Sequence, residues 1–436
     1  MEDTPRSQPI STILQEIAEQ SIQYPDEAFT TLIHHIDEEW LREAYQQTNK
    51  RGAAGIDGVT AAEYAANLDE NLQDLLERLK DGRYRARPVE RVWLDKEDGR
   101  KRPIGKPTFE DKIVQRAVVM LMEAVYEPEF YDFSHGFRKG HSAHQAIKEL
   151  REQCNRLNIN WILDADVSGF FDEIPHDQLR EIIKQRVNDG GILRLIGKWL
   201  NAGVMEEGVL TYAEKGSPQG GVISPMLANV YLHYVLDEWF EKEVKPRMKG
   251  RCFLLRFADD FVIGCELEGD ARRIMEVLPK RFGRYGLSIH PEKTKLVKFG
   301  KPPKNKPPAS RNGTFDFLGF THYWGKSRRG YWIIKRRTIR KRLRRTVKGL
   351  WKWCKENRHL PIKEQHRMLS LKLRGHYQYY GIRSNYRQLE KVLQQARKGW
   401  RYWLNRRSRQ QDMKWEKFTE VIKLFPLPRP RIVHAI

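Results

Sequence analysis

The chain has 436 residues, a formal net charge of +22 and four cysteines. That length allows two or three domains with substantial cores. No stretch approaches the roughly 18 apolar residues of a membrane span, and the N-terminus lacks the basic start and apolar core of a signal peptide. Cys154, Cys252, Cys265 and Cys354 show neither zinc-ligand nor disulfide spacing, so a cytoplasmic protein with reduced thiols is expected.

In chain order, residues 1–40 carry only a hint of a short helix at Thr12-Ile13-Leu14 and Ile17. Asp98-Gly99 favours a tight hairpin turn, and the flanking Lys96 and Arg102 can project from it onto phosphates; lone cations near a turn are otherwise solvated. In Trp161 to Val167, strand alternation sets Leu163, Ala165 and Val167 on one face and Ile162, Asp164 and Asp166 on the other. Ser168-Gly169 and the aromatic pair Phe170-Phe171 follow. In Ser217-Pro218-Gln219-Gly220-Gly221 the glycines allow close backbone approach to a ligand that the Gln219 amide can touch. Ser224 as N-cap and Pro225 as first helical residue then open a helix, continued by Met226, Leu227, Val230, Tyr231 and Val235.

Leu254 to Ile263 places Asp259 and Asp260 between two apolar runs, the pattern of a buried hairpin with two acids at its tip. Like charges that close repel unless a cation neutralises them. An exposed Asp-Asp turn is the plain alternative. Asp166, at the end of another strand, offers a third carboxylate, and three carboxylates can hold two Mg²⁺ ions for phosphoryl displacement. Between Gly300 and Gly313 the prolines predict a mobile loop. Ile339, Leu343, Val347, Leu350 and Cys354 define one apolar face of a helix, with Arg336, Arg337, Arg340, Lys341, Arg342, Arg344, Arg345 and Lys348 around the rest. Residues 331–436 hold 30 Lys and Arg against 6 Asp and Glu, whereas residues 1–330 hold 49 against 51, so the basic surface is concentrated where phosphate binding is expected. Tyr377, Tyr380, Trp400 and Trp403 read as packing residues before base-stacking ones.

Eight blocks occur in register: Gly55-Ile56-Asp57-Gly58-Val59; Arg102-Pro103-Ile104-Gly105-Lys106-Pro107-Thr108; Tyr126-Glu127-Pro128 with Gly136-Phe137-Arg138; Asp166 to Asp172; Ser217 to Pro225; Phe257-Ala258-Asp259-Asp260; Pro291-Glu292-Lys293-Thr294-Lys295; and Phe317-Leu318-Gly319-Phe320. From about Leu41 to the C-terminus the chain resembles group II intron reverse transcriptases and maturases. Phe257 stands where that family usually has Tyr, and Lys106 where an apolar residue is commoner. The resemblance implies a right-hand polymerase of the α/β (α+β) class. Fingers and palm around a small antiparallel sheet would occupy residues 41–325, and a helical thumb, the maturase region, residues 326–405. Residues 1–40 would be an N-terminal extension and 406–436 a short basic tail.

The same resemblance implies a metal triad of Asp166, Asp259 and Asp260, aided by the Val167 carbonyl and holding two Mg²⁺ ions, with Mn²⁺ as a substitute. Lys96, Arg102, Phe171, Gln219 and Lys293 would contact the nucleotide. Phe171 would lie under the incoming sugar and exclude a ribose 2′-OH, although it also reads as one of a core pair. Lys293 reads equally as a surface lysine. Arg336, Arg337, Arg340, Lys341, Arg344, Arg345 and Lys348 would meet nucleic acid. The implied activity is RNA-directed DNA polymerisation, in which a DNA primer 3′-hydroxyl attacks the α-phosphorus of a dNTP on an RNA template and pyrophosphate leaves. Binding of a parent group II intron RNA, assisting its splicing and mobility, would accompany it in the bacterial cytoplasm near the nucleoid, without membrane contact. Phe425 to Pro430 resembles the ending of members that stop after the thumb, without a His-Asn-His nuclease. A domesticated enzyme serving DNA repair or phage defence, without splicing, is the alternative.

Overall fold

A computed structural model of the protein describes residues 8–95, 101–206, 209–212, 215–216, 220–303, 313–407 and 413–436. Its strands, in chain order, are β1 (Val89–Asp95), β2 (Lys101–Lys106), β3 (Trp161–Ala165), β4 (Val167–Ser168), β5 (Val204–Glu206), β6 (Val209–Thr211), β7 (Cys252–Phe257), β8 (Asp260–Cys265), β9 (Ser288–Ile289), β10 (Lys295–Lys298), β11 (Phe315–Phe317), β12 (Phe320–Lys326) and β13 (Trp332–Thr338). The chain divides into two compact units. One comprises Met1–Ser142, Ala165–Phe261 and Gly269–Lys295, the other Ala143–Asp164, Val262–Glu268 and Leu296–Ile436.

The first unit is organised by the helix Phe109–Tyr126. Thr108 caps it, its hydroxyl accepting from the Asp111 N–H at 3.1 Å. Ile113, Val114, Ala117, Val118, Leu121 and Met122 are wholly buried, which leaves the helix apolar nearly all round and therefore sunk in the core. Helices Ile10–Gln23, Glu38–Gln47 and Ser224–Leu232 pack against it. Within residues 8–40, helix Ile10–Gln23 is tied to this core: the Ser21 hydroxyl donates to Val125 O at 2.7 Å, and Arg186 donates to Ser21 O at 3.1 Å and Tyr24 O at 2.9 Å.

In the sheet β2-β1-β5-β6, β1 and β2 pair antiparallel from Glu90 opposite Lys106 to Asp95 opposite Lys101. Asp98-Gly99 therefore falls in the connection of a hairpin, although Lys96 and the turn itself lie outside the described residues. Arg102 pairs with Leu94 through the backbone, and its side chain is likewise outside the description. Lys106 is held across the ladder by Glu90, Nζ to Oε2 2.8 Å.

The helix Ser224–Leu232 starts at Ser224 itself, one residue sooner than a Ser cap predicts. Gln115 holds its approach, the side-chain oxygen accepting from the N–H groups of Val222 at 2.7 Å and Ile223 at 3.3 Å. Met226, Leu227, Val230, Tyr231 and Val235 are buried, as their spacing predicts. Past Leu232 the helix widens into π-turns over His233–Asp237 and Trp239–Val244.

In the second unit, β10, β3 and β8 are neighbours in that order, and β11, β12 and β13 form an antiparallel meander. Helices Arg340–Glu356, Ile362–Tyr380, Tyr386–Asn405 and Trp415–Leu424 share one core of Leu350, Leu369, Leu373, Leu389, Val392, Trp400 and Phe418. Tyr377 and Trp400 are packing residues, the Trp400 indole donating to Gln365 Oε1 at 2.9 Å. Helix Trp415–Leu424 belongs to this core through Phe418 instead of trailing as a tail. All four cysteines are buried and free, and no described helix is long and apolar enough to cross a membrane.

Candidate active site

Ala258 and Asp259 connect β7 to β8, and Asp260 is the first residue of β8. Phe253, Leu254 and Leu255 on one arm and Phe261, Val262 and Ile263 on the other are buried, leaving the acids at the tip. Asn160 N–H donates to Cys265 O at 3.1 Å, which sets the beginning of β3 beside the end of β8. The two neighbouring strands therefore run antiparallel, and the end of β3 comes beside the start of β8. Asp166 follows directly on that end. It lies just past the strand, at the edge occupied by Asp259 and Asp260, although the three are remote in sequence.

The backbone of Asp166 is gripped by a later segment. Its carbonyl accepts from His290 N–H at 2.7 Å, its N–H donates to Thr294 Oγ1 at 3.4 Å, and β4 pairs antiparallel with β9 through Val167 opposite Ile289. This brings Lys293, inside that segment, to the Asp166 carboxylate, Nζ to Oδ2 2.6 Å. The pair is partly open to solvent, 48% and 36% by side chain, so its free energy is small and its partners exchange readily. Among the described residues no three Asp, Glu, His or Cys side chains stand ready as a metal cage. Lys293 instead supplies the positive charge at Asp166. Carboxylates are hard oxygen donors, and an ammonium already standing at one of them fits a place where a cation is held.

Phe171 lies in the short helix Phe170–Glu173, buried and edge-on to Phe170 with ring centroids 5.2 Å apart. Gln219 lies outside the described residues, but both flanks of its segment are fixed. Gly216 N–H donates to Ile174 O at 2.8 Å. Gly220 has φ +112°, and a Cβ there would lie 2.4 Å from Gly105 O, so glycine alone permits this approach to β2.

A buried ion pair supports the acidic turn. Arg256, fully buried in β7, donates through Nε to Asp237 Oδ1 at 2.8 Å and through Nη2 to Asp237 Oδ2 at 2.5 Å. Its Nη1 reaches Asn229 Oδ1 at 2.9 Å and Ala258 O at 3.2 Å. Ala258 takes φ +57°, a left-handed conformation that costs an L-residue about 1–2 kcal/mol. The bond from Arg256 holds the turn in it. From the other side Asn229 Nδ2 donates to Gly136 O at 2.7 Å, and a Cβ on Gly136 would come within 2.1 Å of Ala258 N. Burial pushes the Asp237 carboxyl above the ordinary carboxylate range, against the opposing pull of Arg256. Burial first, and the Arg256 charge second, push the neighbouring His233 down to about 3.

Sequence reasoning missed this support. An arginine inside the apolar run Leu254 to Ile263 was the available signal, since a charge buried in a strand requires a partner. Asp237 carried none, because only the π-turn settles where it points.

Arg340, Lys341, Arg344, Arg345 and Lys348 lie exposed on helix Arg340–Glu356. Arg336 and Arg337 are instead on β13, because the strand runs to Thr338 and Ile339 is the helix cap. Strand alternation turns Arg337 outward, over the Tyr323 ring at 5.3 Å, and buries Arg336 at 2% exposure.

An antiparallel hairpin tipped with acids beside a third strand-end acid, in a unit that also holds a paired-strand hairpin and a Gly-bounded segment, is compatible with a nucleotidyl-transfer polymerase. Residues 94–322 match the family described as reverse transcriptase (RNA-dependent DNA polymerase). The protein YkfC of Escherichia coli is 34% identical over 292 residues, covering 59% of this chain and 76% of that protein. The group II intron-encoded protein LtrA of Lactococcus lactis is 36% identical over 231 residues, 52% of this chain but only 38% of LtrA. Nuclear intron maturase 1, mitochondrial, of Arabidopsis thaliana is 32% identical over 91 residues, 21% of this chain and 12% of that protein. The chain belongs to the reverse transcriptase family and is an RNA-directed DNA polymerase with homologues among group II intron proteins and maturases. Enzymes of this family use divalent metal ions.

Removing one partner of a buried pair leaves an uncompensated charge, so Arg256→Ala should lower the unfolding free energy by about 3–5 kcal/mol in a urea titration. Arg256→Lys keeps the charge but loses the planar fork that serves Asp237 and Ala258 together. It should remain folded and lose nucleotide incorporation by about tenfold or more through misplacement of the turn. Full incorporation by folded Arg256→Lys would dissociate the pair from the site.

Proposed function

We propose that the protein extends a DNA primer on an RNA template with dNTPs, using Asp166, Asp259 and Asp260 to hold two Mg²⁺ ions, with Mn²⁺ as a substitute. The observation that carries this reading is the antiparallel pairing of β3 and β8, which puts Asp166 at the edge where Asp259 and Asp260 stand. When bound, the ions stabilise the attacking and leaving oxygens of an in-line phosphoryl displacement. The Val167 carbonyl follows Asp166 and adds an oxygen donor on the same segment. Lys293 neutralises Asp166 in the free enzyme and, once released from it, is within the same loop to meet a phosphate. Arg102, with Lys96, provides cations on the β1–β2 hairpin for the triphosphate. Gln219 would touch the nucleotide or template from the Gly-bounded segment.

Phe171, five residues past Asp166 in the chain, would exclude a ribose 2′-OH by contact. Arg340, Lys341, Arg344, Arg345 and Lys348 give the helix an uninterrupted cationic outer surface for an RNA backbone, and this supports a second role in binding group II intron RNA to assist splicing and mobility. That role does not depend on Asp259.

Asp259→Ala should lower primer extension at least about a thousandfold, the scale of losing a group that stabilises charge in the transition state. RNA affinity and any stimulation of splicing of a flanking group II intron transcript at low Mg²⁺ should change only a few-fold. Full extension by the variant would remove the carboxylate assignment, and no gain in splicing rate with either protein would remove the maturase role. Phe171→Ala should admit ribonucleotides, read as a rise in rNTP over dNTP incorporation; unchanged discrimination would leave Phe171 only its packing against Phe170.

A further inference from the structure

In the first unit two helical walls leave a groove between them. One wall is the widened stretch Trp239–Val244 with the turn Lys245–Arg247 that follows it, and the other is the part of helix Glu268–Arg284 that belongs to the same unit. Arg281 joins the walls. Its Nε donates to Val235 O at 3.0 Å and its Nη2 to Tyr234 O at 3.0 Å, both carbonyls of the π-turn His233–Asp237. The same guanidinium lies over the Trp239 ring at 5.8 Å and the Tyr285 ring at 4.6 Å. The spacing of Arg273, Ile274, Val277, Lys280, Arg281 and Arg284 puts them on one face of their helix, and that face lines a space of about 600 Å³.

Floor and rim differ in chemistry. Trp239, Val244 and Ile274 are buried and Met248 and Val277 half-buried, so an apolar strip runs along the bottom. Five cations, Arg247, Arg273, Lys280, Arg281 and Arg284, line it against one acid, Glu243. Glu243 stands 3.9 Å from Arg247 in a pair open to solvent, which neutralises little. Among the described residues Arg273 and Arg284 have no ion-pair partner. A nucleic-acid strand would find cations here but no stacking platform, because Trp239 is the one aromatic residue in the described lining, 8% exposed and covered by Arg281. Arg, Trp and Met over an apolar strip are instead the residue types enriched where proteins dock.

We propose that this groove docks an acidic amphipathic helix of another protein, with its apolar side chains on the floor of Trp239 and Ile274 and its carboxylates against Arg247, Arg273 and Arg284. Two helices side by side offer the space of a third, the mode in which an amphipathic helix lays its apolar face into a groove. From Arg273 to Arg284 the wall runs about 16 Å at 1.5 Å per residue, a length that a ligand helix of about three turns covers. None of the lining residues belongs to the carboxylate site, so docking makes no use of Asp166, Asp259 or Asp260. The inference stands on the geometry of the first unit and does not depend on the polymerase reading.

The test uses the full chain and a fluorescein-labelled synthetic helix of about three turns, with glutamate along one face and leucine and phenylalanine along the other. Binding, read by fluorescence anisotropy, should weaken as salt rises. It should fall at least about tenfold when Arg273→Glu and Arg284→Glu are combined, both at exposed positions, and return when both are lysine instead. Serine in place of the leucine and phenylalanine should weaken the peptide at least about tenfold as well, because the floor then buries nothing apolar. Melting temperatures equal to that of the parent chain keep a loss of binding apart from a loss of fold. No binding of the peptide up to about millimolar concentration overturns the proposal, and so does equal affinity for the serine peptide, which would leave only a charged surface. Self-association of the parent chain that the glutamate variant loses would make a second copy the occupant, and a smaller salt slope for an RNA–DNA hybrid in that variant would make it nucleic acid; either result overturns the acidic partner.

Discussion

The Arg256–Asp237 pair is the constraint on which the candidate active site depends. A fully buried ion pair is a poor source of stability, because taking both charges out of water offsets most of their attraction. What this one provides is position. Arg256 lies on the strand that leads into the acidic turn, and the same guanidinium that satisfies Asp237 reaches forward to Ala258 O. The turn is thus tied to the widened helix behind it, and a left-handed Ala258 is held where two acids can stand at the end of two apolar strands.

Electrostatics on the other side of the site have the opposite character. Asp166 is bound by backbone and by Thr294, and its carboxylate meets Lys293 in a solvent-open pair. Rigid support with an exchangeable counterion suits a site that must accept cations and release them. Lys293 offsets the charge of Asp166, at little cost when it moves away.

Local pattern made the hairpin Leu254 to Ile263 legible, since two apolar runs around two acids leave few other folds, and the buried face of Met226, Leu227, Val230 and Tyr231 followed from its spacing. Strand pattern offers Asp166 as a third carboxylate and the resemblance implies the triad, while the neighbouring of β3 and β8 is contained in no local pattern. Positions set by tertiary contact were not legible. Gln115, far upstream, holds the start of the helix at Ser224, and Glu90 takes up Lys106 across a ladder. The sequence groups Arg336 with the helical cations, because β13 passes into helix Arg340–Glu356 within two residues and a period of two changes there to one of 3.6. The helix Trp415–Leu424 was hidden by its basic flanks, and only the burial of Phe418 against three other helices gives it a place.

In the proposed function, Asp166 and the Asp259-Asp260 turn form one cation site with Lys293 as the resident counterion. Mn²⁺ uptake by the full chain, followed by electron paramagnetic resonance, tests it without recourse to activity. Asp166→Asn and Asp259→Asn should each abolish the tight uptake of the parent chain, and Lys293→Met should strengthen it by removing the competing ammonium. Uptake unaffected by either asparagine substitution would contradict the account.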